Sequence, residues 1–233
     1  MHQNSVMRLR KQELAKSTRE FSARGSRVIR CEECLLPTNN CLCKQKPTPS
    51  GDCAVVMLMY KGEYYKPTNT GRLIADVVEN NHAFVWHRTE PQEQLLALLN
   101  DSDFQPYIVF PHEYALDEPC VSEVTNDALR KPLFIFLDGT WREAKKMFTK
   151  SDYLRGIPVL SIPTDQESEY KLREASHGFQ QCTAEIAVDI LRLAGETQCA
   201  ENLKTYFHYF RYHYIKGKPH IDDIPHPDES QPV

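Results

Sequence analysis

Leu133-Phe134-Ile135-Phe136-Leu137-Asp138-Gly139-Thr140-Trp141-Arg142-Glu143-Ala144-Lys145-Lys146-Met147-Phe148 decides the fold. Five apolar residues in a row read as a strand buried on both faces. The polar Asp-Gly-Thr that follows reads as a tight turn. Thr140 and Glu143 then fit a capping box at the start of a helix. Working outward, short apolar runs recur at 54–59, 83–86, 107–110 and 157–161, each a further strand candidate. Between them the spacing predicts helices. Over 72–79, Leu73, Ile74, Val77 and Val78 share one face. Pro91 suits the first turn of a helix over 91–99. Over 184–194, Ala184, Ala187, Val188, Leu191 and Ala194 recur at helical spacing, and Gly195 stands where a C-terminal cap belongs. This alternation predicts an α/β fold: a mainly parallel sheet with helices on both faces.

Composition bounds the rest. The chain has 233 residues, 41% hydrophobic and 26% charged, an ordinary globular balance. One core of about 160–190 residues with a small appendage fits that length. The longest apolar run, 54–60, falls far short of the roughly 20 residues of a membrane helix. No apolar stretch follows Met1, so no secretory leader is expected, and the expected location is cytoplasmic, without a membrane partner. The net charge of −4 hides an asymmetry: residues 1–30 carry eight Lys/Arg and two Glu, a +6 segment that leaves −10 for the remainder. Residues 1–25 therefore read as a basic arm, partly helical, either a handle for a polyanion or a solvated tail or helix with no partner.

Eight cysteines in a chain without a leader are expected to be reduced. Four crowd together in Cys31-Glu-Glu-Cys34-Leu-Leu-Pro-Thr-Asn-Asn-Cys41-Leu-Cys43. CxxC followed by CxC offers four thiolates to one tetrahedral ion, with zinc the expected metal and an iron–sulfur cluster or free thiols the alternatives. All four ligands come from the protein, so the site reads as structural. Lys46-Pro47-Thr48-Pro49-Ser50-Gly51 reads as a linker. The expected organisation is a basic arm over 1–25, a four-cysteine zinc knuckle and linker over 26–50, the α/β domain over 51–215, and a tail over 216–233.

Sheets of this kind bind ligands beyond the carboxyl ends of their strands. Asp138 therefore stands where chemistry is expected, although a turn-bonding carboxylate would look the same. Trp141 reads as core as readily as it reads as a ligand platform. The segment Asp138-Gly139-Thr140-Trp141 matches the Asp-x-Thr-Trp signature of the DTW-domain family. Arg30-Cys31, the cysteines through Cys43, Lys66-Pro67-Thr68-Asn69-Thr70-Gly71-Arg72-Leu73-Ile74, Tyr170-Lys171-Leu172-Arg173-Glu174-Ala175 and Gln181-Cys182-Thr183-Ala184-Glu185 also resemble that family. They follow its order over about residues 30–215. Within the family the resemblance is greatest to the bacterial tRNA-uridine aminocarboxypropyltransferases.

That resemblance implies a SPOUT-like, knotted α/β domain that takes S-adenosylmethionine as co-substrate. It implies transfer of the 3-amino-3-carboxypropyl group to N3 of a tRNA uridine, at position 47 in the variable loop, with release of methylthioadenosine. Uridine N3 is a weak acid, so a base helps, and Asp138 is the candidate. Arg72 and Arg173 are candidates to clamp the cofactor carboxylate. Asn69, Thr70 and Thr183 are candidate neutral donors, Glu185 a partner for the ammonium, and Thr140 and Trp141 complete the cofactor set. Each has a plainer alternative: Thr70 and Thr183 as helix caps, the charged residues as surface pairs. The aromatic and basic stretch over 206–218 reads as an RNA-stacking strip or as a helix packing its aromatics on the sheet. Rival functions are an RNA methyltransferase with the same cofactor, a non-catalytic zinc-containing RNA-binding protein, and a zinc-ribbon interaction protein. Composition is silent on oligomeric state.

Overall fold

A computed structural model describes residues 3–18, 28–115, 118–125, 129–162, 181–217 and 226–229. In chain order the regular elements are α1 (Ser5–Ala15), β1 (Ser50–Met59), α2 (Gly71–Val77), β2 (Val78–Val85), α3 (Glu93–Leu99), β3 (Phe104–Val109), β4 (Cys120–Val121), β5 (Lys131–Asp138), α4 (Trp141–Thr149), β6 (Val159–Leu160), α5 (Thr183–Leu193) and α6 (Thr197–Lys216). The strands form one sheet in the order β2-β1-β5-β3-β6-β4, every neighbouring pair parallel. β5 is thus interior: Ala54 to Met59 of β1 pair with Leu133 to Asp138 on one side, and Phe104 to Val109 pair with Lys131 to Phe136 on the other.

The apolar runs are continuous because both faces of the sheet are covered. In β1, Val55, Met57 and Met59 face one core cluster while Ala54, Val56 and Leu58 face the other. The first cluster takes residues from α1, α2, α5 and α6, including Leu73, Ala187 and Leu203. The second takes Leu95 of α3 and Ala144 and Met147 of α4. The expected α/β sheet with helices on both faces is what the chain forms.

Three details differ from the sequence reading. The helix expected over 72–79 stops at Val77, because Val78 opens β2 and pairs with Ser50. β4 has only two residues, too few for any periodicity. The helix of the basic arm is docked on the domain rather than solvated. Asn4 caps α1, and its Val6, Met7 and Leu9 are buried. Ser5 N–H donates to Asn81 Oδ1 (2.8 Å), so α1 lies against edge strand β2. The knuckle is likewise integrated: Leu36 and Leu42 share the first core cluster with Tyr206 and Phe210 of α6. The stretch expected to pack or to stack RNA is the second half of α6, with Tyr206, Phe207 and Phe210 buried. A knot would depend on the path between β6 and α5, and residues 163–180 lie outside the described residues.

One buried carboxylate joins these parts. Asp76, in the last turn of α2, is 4% exposed. Its Oδ1 accepts from Asn4 Nδ2 (2.8 Å) and faces Lys46 Nζ (2.5 Å), and its Oδ2 accepts from Tyr206 OH (3.2 Å). Burial and then the Asp76 charge push the Tyr206 phenol far above its ordinary pKa, so it stays a donor. Asp76→Ala leaves Asn4 and Tyr206 without this buried acceptor, whereas Lys46, a third exposed, can hydrate. The expected loss is about 2–4 kcal/mol, read as a lower urea midpoint at unchanged slope. A midpoint equal to that of the wild type overturns this account of Asp76.

Candidate active site and metal centre

Asp138 ends the central strand and is 3% exposed. A buried carboxylate needs donors, and these come from two distant segments. Asn69 Nδ2 donates to Oδ2 (2.6 Å) and Thr183 Oγ1 donates to Oδ1 (3.0 Å). Asn69 Oδ1 in turn accepts from Arg72 N–H (3.1 Å), and Thr70 Oγ1 accepts from Ala184 N–H (3.4 Å). The first turns of α2 and α5 are therefore tied to the strand end and to each other. Thr70 and Thr183 bridge elements; neither side chain caps its own helix.

Gly71 makes this closeness possible. A Cβ there would lie 2.8 Å from Asp138 Oδ2 and 2.6 Å from Met57 Cε, closer than packing allows. Sequence reasoning missed this role, although the glycine inside Asn69-Thr70-Gly71-Arg72 was a visible signal.

The other candidates fall in several places. Thr140 and Glu143 form the capping box: Thr140 N–H and Oγ1 each donate to Glu143 Oε2 (2.7 Å). Glu185 accepts from Cys182 N–H (2.7 Å) in the capping box of α5. Trp141 stacks on Phe110, centroids 5.5 Å apart. Arg72 is only 1% exposed, with its guanidinium 4.9 Å from the Phe210 ring centroid, and Nε, Nη1 and Nη2 have no hydrogen-bond partner among the described residues. A buried cation in that condition carries a large desolvation cost that an anion would offset. Arg173 lies outside the described residues.

Beyond the carboxyl ends of β3, β4 and β6 lies a cleft of about 430 Å³, within the range of small-ligand sites. Phe110, Val121, Leu160 and Ile162 form its apolar wall, and Ile186 and Asp189 of α5 close it. Burial raises the Asp189 pKa above the ordinary carboxylate value. One helix thus carries Thr183 at Asp138 and Asp189 in the cleft, and Trp141 backs onto the cleft through Phe110.

The comparison with known families bears on this arrangement, since every converging segment belongs to one domain. The family model for the DTW domain matches residues 28–215. The chain belongs to the DTW-domain family. No solved structure matches the chain. The match begins before the cysteine cluster and ends inside α6, so the knuckle and the Asp138 cluster lie within this DTW domain.

The knuckle brings its four sulfurs within 4.8 Å of one another. Cys31 and Cys43 Sγ are 3.6 Å apart, Cys34 and Cys41 Sγ 3.7 Å. Four thiolates at about 2.3 Å from one tetrahedral ion stand about 3.8 Å apart, so this cluster can hold a metal ion. Leu42 N–H donates to Cys34 Sγ (3.5 Å), and Leu35 turns the chain at φ 58°. That left-handed turn costs a leucine about 1–2 kcal/mol. Burial acts to raise the Cys31 pKa, but backbone N–H groups of Cys34 and Glu33 and the neighbouring thiols bring it down to about 7. Cys34, more deeply buried, is pushed up.

Cys34→Ser is expected to lose about one equivalent of bound metal and to lower the melting temperature by several degrees, because Leu36 and Leu42 hang on the knuckle. Elemental analysis with a thermal melt reads both. A wild-type chain that carries no metal and melts unchanged with chelator sinks the metal assignment.

Proposed function

We propose that this chain transfers the 3-amino-3-carboxypropyl group of S-adenosylmethionine to N3 of a tRNA uridine, in the variable loop at position 47. The observation that carries the reading is the meeting of Asn69, Asp138 and Thr183, from three family segments, at the strand ends beside a ligand-sized cleft. When bound, S-adenosylmethionine supplies an electrophilic γ-methylene next to its sulfonium, and displacement there by uridine N3 releases methylthioadenosine.

The chain's residues would work as follows. The apolar wall around Phe110 and Leu160 takes the adenosine and excludes water, with Trp141 supporting Phe110 and Thr140 fixing the turn. The Arg72 donors, without a hydrogen-bond partner among the described residues, are the match for the cofactor carboxylate, with Arg173 as the second proposed clamp. Asp189 lines the cleft and Glu185 stands one turn before it on α5, so these carboxylates are proposed for the ammonium. Thr70 ties α5 to α2 and Thr183 ties α5 to Asp138, an arrangement that would position the two reacting atoms. Asp138 takes the N3 proton, its carboxylate oriented by Asn69 and Thr183. Zinc is the proposed ion of Cys31, Cys34, Cys41 and Cys43, in a structural role. A SPOUT-like knot and a cytoplasmic location belong to the same reading. Among the described residues, no helix is long and apolar enough to cross a membrane.

A second reading of Asp138 rests on the same contacts. Both oxygens are engaged, so the carboxylate could act by holding Asn69 and Thr183 in place. The test is mass spectrometry of purified protein, S-adenosylmethionine and unmodified tRNA. Methylthioadenosine with an aminocarboxypropyl nucleoside is expected; S-adenosylhomocysteine with a methylated base would establish the methyltransferase instead. Asp138→Asn is expected to lower turnover about 100-fold or more with cofactor binding intact if it is the base. Loss of cofactor binding as well identifies a positioning role, and full turnover removes Asp138 from the chemistry.

A further inference from the structure

We propose that the outer face of α4, together with Tyr60 and Trp86, holds the single-stranded RNA that flanks the target uridine. This rests on the RNA-transferase reading above. Tyr60 and Trp86 are the first residues past β1 and β2. Their N–H groups continue the sheet, Tyr60 donating to Asp138 O and Trp86 to Met59 O, each at 2.8 Å. Both residues therefore stand at the same carboxyl end of the sheet as Asp138, with their rings on the face that α4 covers. They stack with centroids 5.6 Å apart and planes 19° from parallel, and both are part exposed.

The pair is held rigidly. Trp86 Nε1 donates to Ser151 Oγ (2.8 Å), and that buried hydroxyl donates to Met147 O (2.6 Å) at the end of α4. Lys146 Nζ lies 5.5 Å and 5.6 Å from the Tyr60 and Trp86 centroids and donates to Tyr60 OH (3.3 Å). At Gly139 a Cβ would meet Tyr60 Cβ at 3.3 Å and Glu143 Cβ at 3.0 Å, so a glycine here leaves room for Tyr60 beside the cap.

Charge says what the face is for. Arg142, Lys145, Lys146 and Lys150 are all exposed, and none forms an ion pair among the described residues. The only acid within α4, Glu143, is taken by the cap. Near α1, Lys11 faces Glu33, and Lys16, just past the helix, faces Glu13. Unpaired cations beside flat, fixed rings match phosphates beside unstacked bases. The substrate at this edge must be unpaired, because N3 lies on the pairing edge of uridine. Its neighbours then lose their stacking partners, and Tyr60 and Trp86 offer new ones.

The test compares tRNA binding across a salt series for the wild type, Arg142→Glu with Lys146→Glu, Trp86→Leu, Trp86→Phe, and a control with Lys11→Glu and Lys16→Glu. The α4 double variant is expected to bind about tenfold or more weakly, with the slope of log K against log salt smaller by about two. Trp86→Leu is expected to lose about fivefold to a hundredfold, with Trp86→Phe restoring most of it. Thermal melts check that each variant folds, and the control is expected to match the wild type. Wild-type affinity and slope in the folded α4 variant overturn the surface, and loss confined to the control moves it to α1. If the wild type still yields methylthioadenosine and modified tRNA, only the surface has failed. If it neither binds nor modifies tRNA, the functional reading fails and takes this inference with it.

Discussion

A carboxylate buried at the end of the central strand must be hydrogen-bonded, and that requirement organises this domain. Asp138 finds its donors on Asn69 and Thr183, 69 and 45 residues away in the chain. Satisfying one side chain therefore brings together the entries to α2 and α5, two elements that share no local sequence signal. The glycine at 71 sets how near they come, since any side chain there would occupy the space of the Asp138 carboxylate.

The same short helix is fastened at its other end. Asp76 gathers Asn4, Lys46 and Tyr206, so α1, the linker after the knuckle, and α6 all bear on α2. A helix of seven residues is marginal alone. Here it is specified from both ends by buried polar contacts, with Leu73 and Ile74 in the core between them. The cysteine knuckle joins this assembly through Leu36 and Leu42. It is distant from Asp138 in sequence and packs on α6, which in turn packs on α2 and α5.

Much of this was legible in the residues. The strands showed because both sheet faces are covered, which leaves continuous runs such as 133–137. The cysteine cluster showed because ligand spacing is a local pattern. The capping box at Thr140 showed for the same reason. What stayed hidden was non-local. Nothing near Asp76 or Tyr206 announces a partner 130 residues away, and β4 is too short for a pattern. Val78 fits a helix face and a strand equally well, and its pairing with Ser50 decides the matter. Arg72 read either as a clamp for the cofactor carboxylate or as a surface residue, while the fold places it against Phe210 with its guanidinium donors unmet among the described residues. The basic N-terminus looked like an arm because its charge dominates, whereas Val6 and Leu9 set its position.

The insertion of β5 between β1 and β3 has a consequence for how the chain is made. β1 and β3 are synthesised before the strand that joins them, so each waits with an apolar edge unpaired. At about 5–20 residues per second, β5 follows the end of β3 after a few seconds. During that interval the nascent chain presents ready templates for pairing with a neighbour on the same message. A slow codon or a stalled ribosome between β3 and β5 would thus harm yield more than the same delay after Asp138, where the centre of the sheet has already closed.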